Sequence, residues 1–481
     1  MTAIHEKLKN DLLCYAQAHR TEFFEDIKAM SRIDSTQGPA SEGLPYGEGP
    51  DQALRAMVRL YEKNGAVSEI HSDRGYALVR FFPENADKGY IGGFTHCDVV
   101  LPNGEWLYTT PYEPVERNGY LIGRGVKDDK GGGVLLLYAL KALHACGYRF
   151  RHAYQGFFGA NEETGFGCIR NFLEDGQLLP AAGLSPDASF TTVPGENSKF
   201  SLFVKSRRTF ENILDFDHGG SKGTVCGYMK VVMNYSDVLW KEVTAAQEGR
   251  TDASVKRSGE QIVLETKGKA VHIAAPHYGI HAGGVATEIL LQCPSLGESD
   301  LKLLAVLDEI FHLMKCELYG CEFNDELFGP TSTGMLSVQL IDGYIGMEGR
   351  LNYSPLQDTE SLMEAVRKYY RDHDFDCELK DQSDGYRHQG KEAETVDALN
   401  AVFTDLNSGR FDKRKAFGAT YSRFIPNCYS TGLEVPFTTR PDDFPEGHGM
   451  IHQPDECVDM DSFVKGIAAA ALHLVILDET F

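Results

Sequence analysis

A histidine and an aspartate two residues apart, His96 and Asp98, follow the apolar stretch Tyr90 to Thr95 (YIGGFT). At the end of a buried strand such a pair can present one imidazole outward with a carboxylate behind it, which fixes the tautomer and raises the basicity of a metal-ligating nitrogen. A core histidine satisfied by a neighbour would read the same way. Next comes Gly123 to Gly133 (GRGVKDDKGGG), where glycines allow the backbone to approach a ligand and Asp128 and Asp129 stand just before an apolar helix. Capping that helix needs only one of them. Glu162 and Glu163 follow the apolar run Ala153 to Gly159. Adjacent carboxylates on a strand-to-helix turn repel each other unless a cation or a shared proton relieves them, so a metal ligand beside a general base is the economical reading. Asp187, after Ser185 and Pro186, and His452, in His452-Gln453-Pro454-Asp455-Glu456, lie in further loops.

Taken together, His96, Asp128, Glu163, Asp187 and His452 form a hard, oxygen-rich donor set with two imidazoles. Such a set suits two divalent ions, zinc first and manganese or cobalt as alternatives.

The elements that must position these groups follow from periodicity. Helical spacing over Ala53 to Tyr61 and Val134 to Cys146 alternates with buried strands at Tyr90 to Thr95 and Ala153 to Gly159, a βαβ rhythm that predicts an α/β sheet flanked by helices. From about Lys199 strands of period two appear (Ser201 to Lys205, Cys226 to Asn234, Gln261 to Lys267, Met335 to Leu340). Helical stretches lie between them, near Asp237 to Gln247, Ala282 to Cys293, Leu301 to Lys315 and Glu360 to Tyr370. Helical spacing returns at Thr395 to Asn407. A Gly/Pro-rich region then reads as loop up to Pro454, and a last helix covers Asp461 to Leu477. The expected architecture is therefore a catalytic α/β domain with a mixed, mostly parallel sheet, formed by 1–198 plus 388–481. It is interrupted by an inserted α+β lid domain, 199–387, with elements enough for two α+β units.

Composition narrows the function classes. The 481 residues carry a net charge of −23, with no basic tract to attract phosphate backbones or anionic leaflets, so neither nucleic acid nor membrane is expected as a partner. The eleven cysteines are scattered without C-x-x-C, which fits a reducing cytoplasm. The acidic N-terminal stretch to Met30 reads as a surface helix rather than a leader, and the apolar run Gly466 to Leu477 is shorter than a bilayer span.

These motifs, in this order, resemble the M20 family of metallopeptidases, and the long insertion is most similar to its bacterial dipeptidase branch of the PepV and Sapep type. The likeness runs from about Gly92 to Asp187, around Lys269 to Ala282, and from Phe417 to Glu456. It implies a zinc-peptidase-like fold and hydrolysis of peptide bonds in short peptides, dipeptides above all, by a metal-bridging hydroxide. His96 and His452 would each bind one metal and Asp128 both, with Glu163 and Asp187 completing the two shells. Glu162 would be the general base, and Asp98 would orient His96. The Asp128–Asp129 peptide is expected to be cis. Gly268-Lys269-Ala270-Val271-His272 resembles the Gly-x-x-Ala-His segment whose histidine supplies an oxyanion donor from the lid. Phe417-Gly418-Ala419-Thr420-Tyr421-Ser422-Arg423 resembles a loop that holds a substrate carboxylate, through Gly418 and Arg423. Long-lid members are monomers, so a cytoplasmic monomer is the expectation.

Substrate-recognition positions depart from the pattern. The early lid reads TFENILDFDHGGSK over Thr209 to Lys222 where an Arg-x-Asn-x-Val-Pro stretch is usual, and the expected Asn-Arg-Tyr-Pro-type strand is matched only by Glu348 to Pro355, in which Arg350 is a candidate carboxylate clamp. An amidohydrolase of N-acyl amino acids would use the same metals and base. A catalytically silent ligand-binding relative is a third reading, against which Glu162 argues.

Overall fold

Three short segments buried almost throughout organise the main sheet of the chain. In the computed structural model, which describes residues 3–102, 104–188, 191–218, 224–271, 273, 276–321, 323–409, 419–436 and 440–481, these are β3 (Tyr90–His96), β4 (Ala153–Gly159) and β5 (Ala182–Ala188). Strands covered on both faces are characteristic of a parallel sheet under helices. β3 pairs parallel with both β4 and β5. With β1 (Val67–His71), β2 (Tyr76–Phe81) and β6 (Cys428–Gly432) they make a six-stranded sheet in the order β1-β2-β4-β3-β5-β6. The β1–β2 and β2–β4 pairings are antiparallel, and β6 joins β5 in parallel.

The strand β6 corrects the loop reading of that region. Cys428-Tyr429-Ser430-Thr431-Gly432 is too polar to announce a buried strand, yet all five residues are buried. The N-terminal stretch is also more than a surface helix. It forms α1 (Ala3–Ala18) and α2 (Arg20–Ser31), and α2 buries Phe23, Phe24, Ile27 and Met30 in the main core.

The remaining helices of this unit are α3 (Glu48–Glu62), α4 (Lys130–Ala145), α5 (Gly167–Glu174), α6 (Lys391–Leu406) and α7 (Met460–Thr480). α7 is long and apolar enough to cross a membrane, but 83% of its most apolar window is buried inside the protein. Its Ile467, Leu474 and Leu477 share one core with Leu135 to Leu137 of α4.

By contacts the chain divides into two compact units. One is Met1–Pro194 with His388–Arg414 and Ala419–Phe481, and the other is built on Gly195–Arg387. The second contains two four-stranded antiparallel sheets. One runs in the order Ile213–His218, Tyr228–Asn234, Gln261–Lys267, Ala253–Ser258, and the other Ser332–Ile341, Tyr344–Tyr353, Ser198–Thr209, Phe375–Ser383. Their inward side chains, such as Leu202, Met229, Leu264 and Met347, merge into one apolar cluster with Leu304 and Phe311.

The core of the first unit holds an ionisable group. His473 of α7 is buried, its Nε2 donates to the Leu399 carbonyl at 3.0 Å, and Phe403 packs edge-on at 4.9 Å. Burial lowers its pKa to about 4. Between the ordinary value of about 6.5 and pH 4 the unfolded chain binds a proton that the folded chain refuses, so stability is complete above that window and falls as pH drops through it. At pH 5 the loss amounts to about 2 kcal/mol. Thermal melts in EDTA should show the fall in midpoint between pH 7 and pH 5 to be about 4 °C smaller in His473→Gln, whose amide keeps the donor to Leu399.

Candidate metal centre

The carboxyl ends of three adjacent parallel strands converge on one point, where open α/β sheets place their ligands. β3 ends in His96, β4 runs into the turn carrying Glu162 and Glu163, and β5 carries Asp187. Asp128 joins them from the loop before α4, and His452 from the loop before α7. Asp128 lies between the two imidazoles: its Oδ1 is 3.1 Å from His96 Nε2 and its Oδ2 is 3.1 Å from His452 Nε2. Glu163 Oε2 is also 3.1 Å from His452 Nε2. On the other side Asp187 Oδ2 and Glu162 Oε2 stand 3.9 and 4.0 Å from His96 Nε2. Two sets, His96 with Glu162 and Asp187, and His96 with Asp128 and Glu163, each bring ligand atoms within 4.8 Å of one another.

His96 is held in a metal-binding tautomer. Its Nδ1–H donates to the main-chain carbonyl of Asp98 at 2.9 Å, which leaves the lone pair on Nε2. That nitrogen is buried without a hydrogen-bond partner despite the nearness of Asp128. An orphaned imidazole nitrogen ringed by carboxylate oxygens fits a divalent cation, and the mixed nitrogen and oxygen donors suit zinc, manganese or cobalt.

The Asp98 carboxylate does something other than face His96. Its Oδ1 is 3.6 Å from Nδ1, farther than the carbonyl, and it accepts the N–H of Glu162 at 3.0 Å while Oδ2 accepts the N–H of Glu163 at 3.1 Å. One buried carboxylate thus holds the backbone of the turn that presents both glutamates. The glycines after Asp129 likewise serve the protein rather than a ligand. A Cβ on Gly131 would lie 2.1 Å from the Val126 carbonyl oxygen, and one on Gly132 would lie 1.8 Å from Asp129 Oδ1. Asp129 is the N-cap residue of α4 but makes no capping bond with its side chain, and its Oδ2 accepts the His96 N–H at 3.3 Å. The Asp128–Asp129 peptide is cis.

Electrostatics reflect the crowding. Burial pushes the Glu162 carboxyl well above the usual carboxylate range, and Asp187, Glu163 and Asp98 add to it against the opposing His96. Asp187 is raised by burial and then by Asp128 and Glu163. Burial lifts Asp98 to about 6. Asp128 goes the other way: burial opposes its ionisation, but His452 and His96 outweigh that and hold it low. For His96, burial works against the charged form while Asp128, Glu162, Asp187 and Asp98 raise its pKa well above the ordinary imidazole value.

The remaining expected positions are Arg423, Arg350, His272 and Gly418. Arg423 ends a short helical turn, Tyr421–Arg423, behind which Tyr421 is buried beside Cys168. Arg350 belongs to the second unit, on the strand Tyr344–Tyr353 opposite Ser201 and Gly334, where burial lowers its pKa. His272 and Gly418 lie outside the described residues. Sequence reasoning gave no role to Arg124, Lys127, Glu434 or Glu456, which form two buried ion pairs beside Asp128. Arg124 Nη1 donates to Glu456 at 2.7 Å and Lys127 Nζ to Glu434 at 2.5 Å. Glu456 closes the motif His452-Gln453-Pro454-Asp455-Glu456, and nothing in the sequence pattern pairs it with Arg124.

Known proteins resemble this chain along most of its length. "Putative dipeptidase SH1171" of Staphylococcus haemolyticus is 24% identical over 92% of this chain and 94% of its own. "Putative dipeptidase YtjP" of Bacillus subtilis is 23% identical over 94% and 96%. Among solved structures, human carnosine dipeptidase 1 superposes with a TM-score of 0.58 at 14% identity, covering 99% of both chains. The di-peptidase Dug1p of Saccharomyces cerevisiae gives 0.56 at 13% identity over 98% of both. These likenesses support the same α/β fold. Residues 94–474, a span that takes in all the convergent side chains, match Peptidase family M20/M25/M40, and the chain belongs to that family of peptidases.

Proposed function

We propose that this chain is a two-metal dipeptidase that hydrolyses short unblocked peptides. The observation that carries the reading is Asp128, whose two oxygens each stand 3.1 Å from a different imidazole, with further carboxylates on either side. His96, Asp128 and Asp187 would hold one ion, and His452, Asp128 and Glu163 the other. Choice of a dipeptide over an N-acyl amino acid rests on the names of the relatives that cover more than nine-tenths of the chain. A cytoplasmic monomer working on zinc, manganese or cobalt completes the proposal.

Two bound divalent ions would acidify the attacking water and polarise the scissile carbonyl. With Asp128, Asp187 and Glu163 assigned to the ions, the Glu162 carboxylate, 4.0 Å from His96 Nε2, is the group left to move protons. It accepts a proton from the attacking water as the C–O bond forms, and returns it to the amine nitrogen as the C–N bond breaks. Burial, which raises its affinity for a proton, suits it to hold one between the two steps. Asp98 keeps this base in register with Glu163 through the paired N–H bonds of the turn. Arg423, Gly418 and Arg350 are assigned to the substrate carboxylate and His272 to the oxyanion, with the unit built on Gly195–Arg387 acting as a lid.

Chelated protein reloaded with zinc or manganese should cleave an unblocked dipeptide far faster than an N-acetyl amino acid. The reverse preference would favour the amidohydrolase. Glu162→Gln should lower kcat by about 10²–10⁴-fold while the protein still binds two ions by calorimetry. A variant that kept its rate would remove Glu162 from the chemistry. Asp98→Asn faces two N–H donors with an amide that offers only one acceptor, so kcat/KM should fall about 100-fold. Because the carbonyl that orients His96 survives in that variant, calorimetry should show weakening of the Glu163-side ion at least as large as that of the His96-side ion.

A further inference from the structure

We propose that Glu456 is a positioning residue that sets the backbone of Gly123–Asp128 and thereby fixes Asp128 between the two imidazoles. The inference rests on the two-metal reading of Asp128, and it concerns an acid that has no place in the ligand set.

The two loops that bring Asp128 and His452 together diverge from a short antiparallel ladder, in which Tyr120–Ile122 pairs with Cys457–Asp459 and Cys457 opposes Ile122. Just beyond the ladder the Gly123 N–H donates to the Glu456 carbonyl at 2.9 Å. The Glu456 side chain then continues the pairing where the strands part. Its Oε1 accepts the N–H of Gly125 at 3.1 Å, of Lys127 at 3.1 Å and of Asp128 at 3.2 Å. Its Oε2 takes Arg124 Nη1 at 2.7 Å, and the residue is fully buried. Arg124 in turn donates from Nη2 to the Gln453 carbonyl and lies 5.5 Å from the Trp106 ring centroid.

Other bonds hold parts of the loop, with the Arg124 N–H donating to the Pro111 carbonyl at 2.8 Å, Ser31 Oγ to the Arg124 carbonyl at 2.8 Å and Lys127 Nζ to Glu434, but the N–H groups of Gly125, Lys127 and Asp128 all turn to Glu456. Gly125 adopts a φ of +77°, and three N–H groups converging on one point is a turn that a chain does not keep without an acceptor. A carboxylate oxygen can accept all three, and its negative charge makes each bond stronger than a neutral one. One of the three is the N–H of Asp128 itself, so the acceptor acts on the residue whose carboxylate spans the site. Glu456 is also four residues after His452, so the same short loop delivers one imidazole and the clamp that aligns the shared carboxylate.

The neighbouring acid shows a similar use of a carboxylate on a different target. Asp455 accepts the N–H of Leu107 and of Tyr108 at 3.1 Å and lies 2.7 Å from His448 Nδ1, which secures the loop to the 104–108 segment rather than to Asp128. Asp478, near the end of α7, offers a control of the same chemistry at the opposite, amino-terminal end of β4. It is buried and accepts the N–H of Arg151 and of His152, and the Tyr148 hydroxyl.

The test compares Glu456→Ala, Glu456→Gln and Asp478→Asn by hydrogen exchange on the peptide covering 123–131 and by calorimetric titration with zinc alone. Glu456→Ala should lose exchange protection at 123–128 and bind zinc about 10–100-fold more weakly. Glu456→Gln, whose amide oxygen can still meet the three N–H groups although its nitrogen cannot accept from Arg124, should recover part of both. Asp478→Asn should melt earlier with the 123–128 protection and the zinc affinity unchanged. If Glu456→Ala does not fold because Arg124 is left buried and unpaired, Glu456→Gln/Arg124→Met supplies the answer. It removes the ion pair, keeps the acceptor, and should protect the loop and hold zinc within about threefold of the wild type. Unchanged loop protection in Glu456→Ala, lost protection in the double variant, or an equal loss of zinc in Asp478→Asn would each overturn the proposal. Wild-type protein that takes up no divalent ion would instead overturn the two-metal reading, and the exchange measurement would still decide the role of Glu456.

Discussion

Mutual repulsion among carboxylates forced into one dry pocket is the constraint on which the rest of the catalytic unit depends. Asp98, Asp128 and Glu162 are buried around His96, with Asp187 beside them. Several like charges at such spacing are tolerated only with counter-charge, either protons or cations. Folding cannot dilute the repulsion by moving the groups outward, because each sits at the end of a different strand or at the root of a helix. The sheet order places β3 between β4 and β5, so His96 is flanked from both sides whatever the loops do. A site of this kind is costly with every carboxylate bare and favours the uptake of protons or cations.

Holding the carboxylates apart to fractions of an ångström is then a matter of backbone, and the protein uses further carboxylates for it. Asp98 collects the N–H groups of Glu162 and Glu163, and Glu456 collects those around Asp128. Buried ion pairs such as Arg124–Glu456 and Lys127–Glu434 contribute little net stability, since desolvation offsets most of the attraction. Breaking one partner is expensive, however, and that asymmetry makes them good at specifying a single loop conformation. The net charge of −23 therefore contains two kinds of buried acid: those aimed at the centre, and those that point away from it into backbone N–H groups.

Much of this was legible because strands buried on both faces and amphipathic helices write their period into the sequence. The runs at Tyr90, Ala153 and Val134 fall where the strands and the helix are, and the acidic and imidazole groups follow them at strand ends. What escaped has physical reasons. The edge strand Cys428–Gly432 is small and polar, with no alternation to betray it. The glycines at Gly131 and Gly132 suggest room for a ligand, whereas the room is taken by Val126 and by Asp129. The Asp98 carboxylate seemed bound to serve the histidine two residues away, but at that spacing the carbonyl lies closer. Glu456 is invisible for a different reason: its partners are backbone N–H groups more than three hundred residues earlier, and no side-chain pattern encodes them.

The position of the insertion follows from the same geometry. The chain leaves the catalytic unit at Pro194 and returns at His388, whose N–H donates to the Pro194 carbonyl at 2.9 Å, while Gly195 and Glu196 pair antiparallel with Arg387 and Tyr386. Exit and return are thus adjacent, and a long segment can be accommodated there without displacing either flank. The proposed donors all lie outside it: four groups precede residue 195 and His452 follows residue 387. The stretch Thr209 to Lys222 lies within the inserted unit and contributes none of these groups. Selection can then alter the inserted unit without replacing any of the five residues that carry the buried charge and the imidazoles.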